Sequence, residues 1–367
     1  MRFNSQEFPM LRPRSVISMA AALSLLLAVS DAGAQNDVRE AFRAECAARA
    51  AAAEQSGAMY VAGREGWLFL GRELRHVAAG PFWGVDAIAV SRAKKPQNAD
   101  PLPAILDFKS QLERAGIELL LVPVPPKVVV YPEKLAERFL DGAGDPQRLD
   151  TQHAEFYELL VAKGVRVLDL APVFAAHRDD AELAPLYCRQ DTHWSGGGCL
   201  LAAREIARLV GNPSWLADAK RVDLASRVEE REIIGDLARA QTPGMPTKEK
   251  ISLRFVGIEE NDELRPLPDD PASPIILLGD SHNLVFHAGG SDMHAAGAGL
   301  ADQLALELRT PLDVVAVRGS GATPARINLL RKSRRAGYLA EKKLIIWCFS
   351  AREFTESDGW NLIPIVK

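Results

Sequence analysis

Two short segments of this 367-residue chain carry residue types that can perform acyl-transfer chemistry. The first is Pro274-Ile275-Ile276-Leu277-Leu278-Gly279-Asp280-Ser281, an apolar run closed by Gly-Asp-Ser. Such a run reads as a buried strand, and an open parallel sheet binds ligands beyond the carboxyl ends of its strands. Ser281 therefore stands where a nucleophile would be presented. Gly279 permits the tight turn, the residues that follow can start a helix, and the Ser281 amide would face a developing oxyanion. The competing structural reading is that Asp280 or Ser281 merely caps that helix. A serine hydroxyl also needs a base to take its proton, and Asp191-Thr192-His193-Trp194 supplies one. In extended backbone, positions i and i+2 project to the same face. Asp191 can then hold one imidazole nitrogen of His193 and leave the other for Ser281. A solitary histidine beside a Gly-rich turn would read as structural; the aspartate two residues before it and the strand-end serine favour the triad.

Other strand ends offer substrate-side groups. Val317-Arg318-Gly319-Ser320-Gly321 places Gly319 as a candidate second oxyanion donor and Arg318 as a candidate contact for an anionic or polyhydroxylated substrate. Arg352, in Ser350-Ala351-Arg352-Glu353, and Lys127, in Pro125-Pro126-Lys127, follow strands as well. For each, a plain turn or a solvated surface charge is the alternative. His282, His287 and His294 follow the serine, but their spacing fits no metal motif, so packing or surface roles are expected of them. His76, His153 and His177 show no convincing partner. Neither a metal site nor a cofactor is predicted.

The elements that must position these groups alternate between strand and helix. A helix over 36–58 and a short strand within 64–71 come first, and 84–100 reads as a loop. A helix over 102–115 leads to the continuous apolar run Glu118–Val124. A helix over 147–163 precedes a strand at 165–170, and a helix to about 210 follows Ser195-Gly196-Gly197-Gly198. Residues 220–265 read as an insertion or peripheral sheet. Strands at 275–278, 312–317 and 344–349 alternate with helices near 297–308 and 324–338. Continuous apolar runs are buried on both faces, as in a parallel sheet covered by helices. The order predicts an α/β three-layer sandwich with a mainly parallel sheet. Its catalytic domain would cover 101–367, after an N-terminal extension over 35–100.

Bulk properties narrow the classes. The net charge of −4 comes with no long basic run, which gives no support for a nucleic-acid surface. Arg12 and Arg14, an apolar stretch from Val16 to Val29, and Ala32-Gly33-Ala34 have the layout of a secretory signal over 1–34, or of an uncleaved N-terminal anchor. Export would permit disulfides among Cys46, Cys188, Cys199 and Cys348, with three full pairings open. A Cys188–Cys199 bridge would stiffen the Asp-Thr-His-Trp segment, whereas Cys348 lies in an apolar run and reads as a buried thiol.

Five pieces in this order resemble the alginate O-acetyltransferases of the AlgJ/AlgX type. They are Arg64-Glu65-Gly66-Trp67-Leu68-Phe69, Pro123 to Pro132 with Lys127 and Tyr131-Pro132-Glu133, Asp191-Thr192-His193-Trp194, Gly279-Asp280-Ser281, and Trp347 to Phe354. The resemblance spans about residues 60–355. It implies an SGNH-hydrolase-like fold with permuted order, Asp and His preceding the serine. It also implies Ser281 as nucleophile, His193 as base and Asp191 as its orienter. The expected reaction is acetyl transfer to hydroxyls of an exopolysaccharide, alginate or similar, through an acetyl-serine. The expected setting is the periplasm, beside a membrane-bound O-acyltransferase and exopolysaccharide assembly proteins. The carbohydrate-binding module of longer relatives is not expected after the last strand, and no Asn stands at the family's second oxyanion position. A secreted carbohydrate esterase or deacetylase, and a non-catalytic polysaccharide-binding assembly protein, are the alternatives.

Overall fold

The computed structural model describes Met1 and residues 19–139, 148–241 and 247–366, with the side chains of the first helix described from residue 36 onward. That helix runs Met19–Ser56. The side chains of the expected export segment over 1–34, apart from Met1, lie outside the described residues. Among the described residues no helix is long and apolar enough to cross a membrane.

Residues Phe42–Lys367 form one compact unit, so position 100 is not a boundary between compact units. Strands β1 (Tyr60–Ala62) and β2 (Leu68–Leu70) pair as a hairpin. The central sheet contains β3 (Glu118–Val124), β4 (Arg166–Val167), β8 (Ile275–Gly279), β9 (Asp313–Ala316) and β10 (Leu344–Ser350). Its order is β4-β3-β10-β8-β9, and every pairing is parallel. Between β4 and β8 the chain forms a separate antiparallel sheet of β5 (Ala225–Ile233), β6 (Glu249–Glu260) and β7 (Glu263–Arg265).

The period of two along each strand divides its side chains between two cores. Leu120 and Val122 of β3, Leu277 of β8 and Ile346 and Cys348 of β10 face the core shared with helices Gly196–Val210 and Leu300–Leu308. Leu119, Leu121, Leu278, Ile345, Trp347 and Phe349 face the opposite core, with helices Pro101–Arg114, Thr151–Ala162 and Thr323–Ser333. Both faces of β8 and β10 are buried throughout, which is why their runs are continuously apolar. The molecule is thus the expected three-layer α/β sandwich.

Local chemistry explains where the elements depart from the sequence reading. β4 has only two residues because the Asp169 side chain accepts the Ala171 N–H (3.1 Å) and starts the helix Leu170–His177. Residues 84–100 hold three short helical turns, Gly84–Asp86, Ala87–Val90 and Pro96–Asn98, rather than loop alone. All four cysteines are free and buried, so the Cys188–Cys199 bridge is not formed. Cys188 Sγ instead lies 3.5 Å from the Trp194 carbonyl, as a weak donor.

Candidate active site

The Asp-Thr-His segment sits in a tight reversal of the chain. Tyr187 and Trp194 face each other as an antiparallel bridge, and the Cys188 N–H donates to the His193 carbonyl at 3.2 Å. Residues 188–191 curl so that three carbonyls converge on one point, which Lys127 fills. Its ammonium donates to the carbonyls of Cys188 (3.0 Å), Arg189 (3.3 Å) and Asp191 (2.7 Å). Lys127 is 1 % exposed, so neither a substrate contact nor a solvated lysine describes it, and both expectations are corrected. Three converging carbonyl dipoles create a negative site that a buried cation neutralises. Burial still pushes the Lys127 ammonium down from its ordinary value, against the pull of Glu73 and Asp191.

The reversal ends at the helix Gly196–Val210, whose first turn packs hard against neighbouring backbone. A Cβ on Gly197 would lie 1.8 Å from the Leu183 carbonyl oxygen, so only glycine lets the helix start there. Ser195 caps this helix, its Oγ accepting the Gly198 N–H at 3.3 Å. His193 is thereby held two residues before a rigid element.

Ser281 follows β8 in a single 3-10 turn, Ser281–Asn283, not at the head of a longer helix. Gly279 is required by close approach: its Cβ would fall 1.7 Å from the Cys348 carbonyl on the paired β10. Asp280 Oδ1 accepts from the His282 N–H (2.9 Å) and Nδ1 (3.1 Å), and Oδ2 accepts the Ser350 N–H (2.7 Å). The acidic neighbour of the serine therefore locks the turn to the end of β10 and performs the capping role foreseen as the alternative. The Ser281 amide has no hydrogen-bond acceptor among the described residues, which leaves it available to an oxyanion.

The two segments meet. His193 Nδ1 is 2.6 Å from Asp191 Oδ1, and His193 Nε2 is 2.8 Å from Ser281 Oγ. Since ionised Asp191 can only accept, the proton on Nδ1 points to it and Nε2 is free to accept from the serine. Asp191 and His193 are 1 % and 5 % exposed while Ser281 retains 8 %, so the serine is the most exposed residue of the three. Burial would lower His193, but the Asp191 carboxylate outweighs it and the imidazole rises above its ordinary value. Burial likewise works against the Asp191 anion, yet His193 and His294 hold it well below the usual carboxylate range. Asp280, buried beside His282, is held down at about 2. The arrangement has the geometry of a serine nucleophile, a base and an orienting acid.

The remaining predicted residues divide. Arg352 donates to Ser350 Oγ at 2.9 Å, and its charge acts on Asp280, His193 and His282. Arg318 is exposed and ion-paired with Asp292 at 2.9 Å. Gly319 has φ +122 with open space around it, whereas Gly321 is the residue of that turn that approaches the serine segment, its Cβ position 3.1 Å from the Asp280 nitrogen.

Three participants escaped the sequence reading. Asp236, from the inserted region, donates its N–H to Asp191 Oδ2 (2.8 Å), and its carboxylate accepts from Thr192 N (2.8 Å) and Oγ1 (2.6 Å). His294 Nε2 lies 2.9 Å from Asp191 Oδ2. His282 packs its ring 4.9 Å from that of His193; its i, i+2 spacing from Asp280 repeats that of Asp191 and His193, a signal that was available. Ligand atoms of Asp191, His193 and Asp236 lie within 4.8 Å of one another, but each is engaged by the hydrogen bonds just described.

The chain is similar to known proteins in sequence and in fold. A family model described as SGNH hydrolase-like domain, acetyltransferase AlgX, matches residues 60–351. The "Probable alginate O-acetylase AlgJ" of Pseudomonas fluorescens is 26 % identical over 235 residues, covering 61 % of this chain and 53 % of that protein. Its namesake in Pseudomonas syringae pv. tomato is 26 % identical over 222 residues, 60 % of this chain and 49 % of that one. The chain thus spans about half the length of these relatives. Among solved structures, the O-acetyltransferase domain of Pseudomonas putida AlgJ superposes with a TM-score of 0.57 at 21 % identity, covering 81 % of this chain and 92 % of that one. Pseudomonas aeruginosa AlgX gives 0.57 at 17 % identity, over 84 % and 66 %. The fold is therefore SGNH-hydrolase-like, and over residues 60–351 the chain belongs to the family of AlgX acetyltransferase domains.

Proposed function

We propose that this protein is a periplasmic O-acetyltransferase that esterifies hydroxyls of an exopolysaccharide, alginate or a polymer like it. The observation that carries the reading is the continuous hydrogen-bonded series from Asp191 through His193 to Ser281, at 2.6 and 2.8 Å. Family membership supports acetyl as the group transferred, and the names of the relatives support the polymer.

Ser281 Oγ attacks the donor acetyl carbonyl while His193 Nε2 takes its proton. The oxyanion forms opposite the Ser281 amide. Collapse expels the donor group, which receives the proton from His193, and leaves acetyl-Ser281. A sugar hydroxyl then gives its proton to His193 and attacks the ester; Ser281 departs and recovers that proton. Arg318 and Arg352 are assigned to the substrate side. The donor is supplied by a membrane-bound O-acyltransferase, among exopolysaccharide assembly partners.

The test is Ser281→Ala, assayed with an acetyl ester donor and an acceptor oligosaccharide. The folded variant is expected to form neither acetyl-enzyme nor acetylated oligomer. Turnover near that of the unaltered protein would refute the assignment. Hydrolysis of the donor without acetylated oligomer from the unaltered protein would replace transfer by esterase activity.

A further inference from the structure

We infer that His294 is a positioning residue for the reaction, acting through Asp191 to set how strongly that carboxylate holds His193; the inference rests on the catalytic reading of Ser281, His193 and Asp191. Four donors converge on Asp191 in two matched pairs. Oδ1 receives the His193 N–H (3.0 Å) and Nδ1 (2.6 Å), and Oδ2 receives the Asp236 N–H (2.8 Å) and His294 Nε2 (2.9 Å). Each oxygen thus faces one backbone amide and one imidazole. An ionised carboxylate only accepts, so the His294 nitrogen facing it carries the proton.

The backbone is shaped to make this contact. His294 has φ +66, a left-handed conformation that is uncommon for residues with a side chain and persists where surroundings over-determine it. The segment leading to it is rooted on the nucleophile, because the N–H groups of Leu284 and Val285 both donate to the Ser281 carbonyl at 2.9 Å. It then folds back on itself. Phe286 N–H donates to Met293 O (2.8 Å), Gly289 N–H to Ala295 O (2.9 Å), and Ala288 bridges Ala296. Phe286 lies against the His294 ring at 5.8 Å, and the imidazole is 2 % exposed. The stretch after the serine therefore carries a donor back to the acid that orients the serine's base, tying the two halves of the site together.

The consequence is electrostatic as well as steric. A carboxylate that loses one donor concentrates its charge on those remaining and stabilises the His193 imidazolium more. The charged and titratable groups that face His193 are Asp191, Asp236, His282 and Arg352, with His294 across Asp191. Removing the His294 donor should thus slow acylation and raise the pH at which His193 becomes a free base.

The test compares His294→Phe, which keeps a ring without the donor, with His294→Gln, whose amide nitrogen can reach the position of Nε2. The rate at which a sulfonyl fluoride labels Ser281 is followed across pH, alongside the thermal midpoint. The Phe variant is expected to label roughly 10- to 100-fold more slowly at neutral pH, as for an orienting group displaced by a fraction of an ångström. Its acid limb should move upward by about half a pH unit or more, and Gln should restore both within about threefold. If Phe does not fold, His294→Asn, too short to reach Asp191, takes its place. An unmoved acid limb, or a Gln variant no better than Phe, overturns the inference. Undiminished labelling of Ser281→Ala would instead refute the catalytic reading beneath it.

Discussion

Replacing Lys127 by methionine separates a structural brace from a substrate contact. Methionine keeps the length of the side chain but has no donor, so the carbonyls of Cys188, Arg189 and Asp191 lose their common partner. Glu73 keeps its bond from the Lys127 backbone N–H (2.8 Å) and its ion pair with Arg352 (4.0 Å), but loses the attraction of the buried ammonium. Hydrogen bonds to a charged group contribute about 1.5–3 kcal/mol each, but removing the ammonium also relieves its own desolvation. Breaking a buried charged cluster on one side costs about 3–5 kcal/mol. For a unit spanning Phe42–Lys367, an unfolding entropy of ~2.1 cal/mol/K per residue gives about 0.7 kcal/mol/K. The melting midpoint should therefore fall by about 4–7 °C. The reversal carrying Asp191 and His193 should relax as well, and a displacement of ~1 Å slows a positioned reaction about 100-fold. Calorimetry and the rate of sulfonyl fluoride labelling of Ser281 measure the two effects on one sample. A midpoint within ~2 °C of the parent with unchanged labelling would refute the brace. A stable variant whose only defect was weaker acceptor binding would restore the substrate role read from the sequence.

Two further expectations concern pH. His193 must be neutral to accept the Ser281 proton, and Asp191 raises it above the ordinary imidazole value. Activity should therefore decline as pH falls through a limb lying above ~6.5; a pH profile of kcat/KM with its limb at or below that value contradicts the dominance of Asp191 over burial. Glu353 is buried, with Asp280 adding repulsion, and its carboxyl is raised from 4.5 to about 7. An acid raised in the folded state holds its proton longer there than in the unfolded chain. Stability is thus full below about 4.5 and is lost as pH climbs to about 7, by roughly 3 kcal/mol at most. Glu353→Gln should gain stability over the parent at pH 8 and none at pH 4, in thermal unfolding at both; an equal difference at the two pH values would sink the explanation.

Much of this protein was legible in one dimension because the deciding forces act locally. Burial of β3, β8 and β10 on both faces requires uninterrupted apolar runs, and such runs can be seen without knowing what covers them. Asp191 and His193 are two residues apart, so their relation depends only on local backbone, and the end of β8 marks Ser281 as a presented hydroxyl. The meeting of His193 and Ser281, 88 positions apart, required the parallel order of the sheet. Distant partners of buried polar groups were not legible at all. Asp236 reaches Asp191 across 45 positions and His294 across 103, and no periodicity records which distant donor will satisfy a carboxylate. Lys127 shows the limit most clearly. As a residue type it predicts solvent, and only the convergence of three carbonyls from another segment makes its burial favourable. Sequence by itself therefore determined the layers, the strand ends and the chemical candidates, through local pattern and side-chain type. The tertiary structure decided which candidates meet and what holds Asp191 in place, because satisfying a buried charge is a property of the enclosing volume and not of the chain that passes through it.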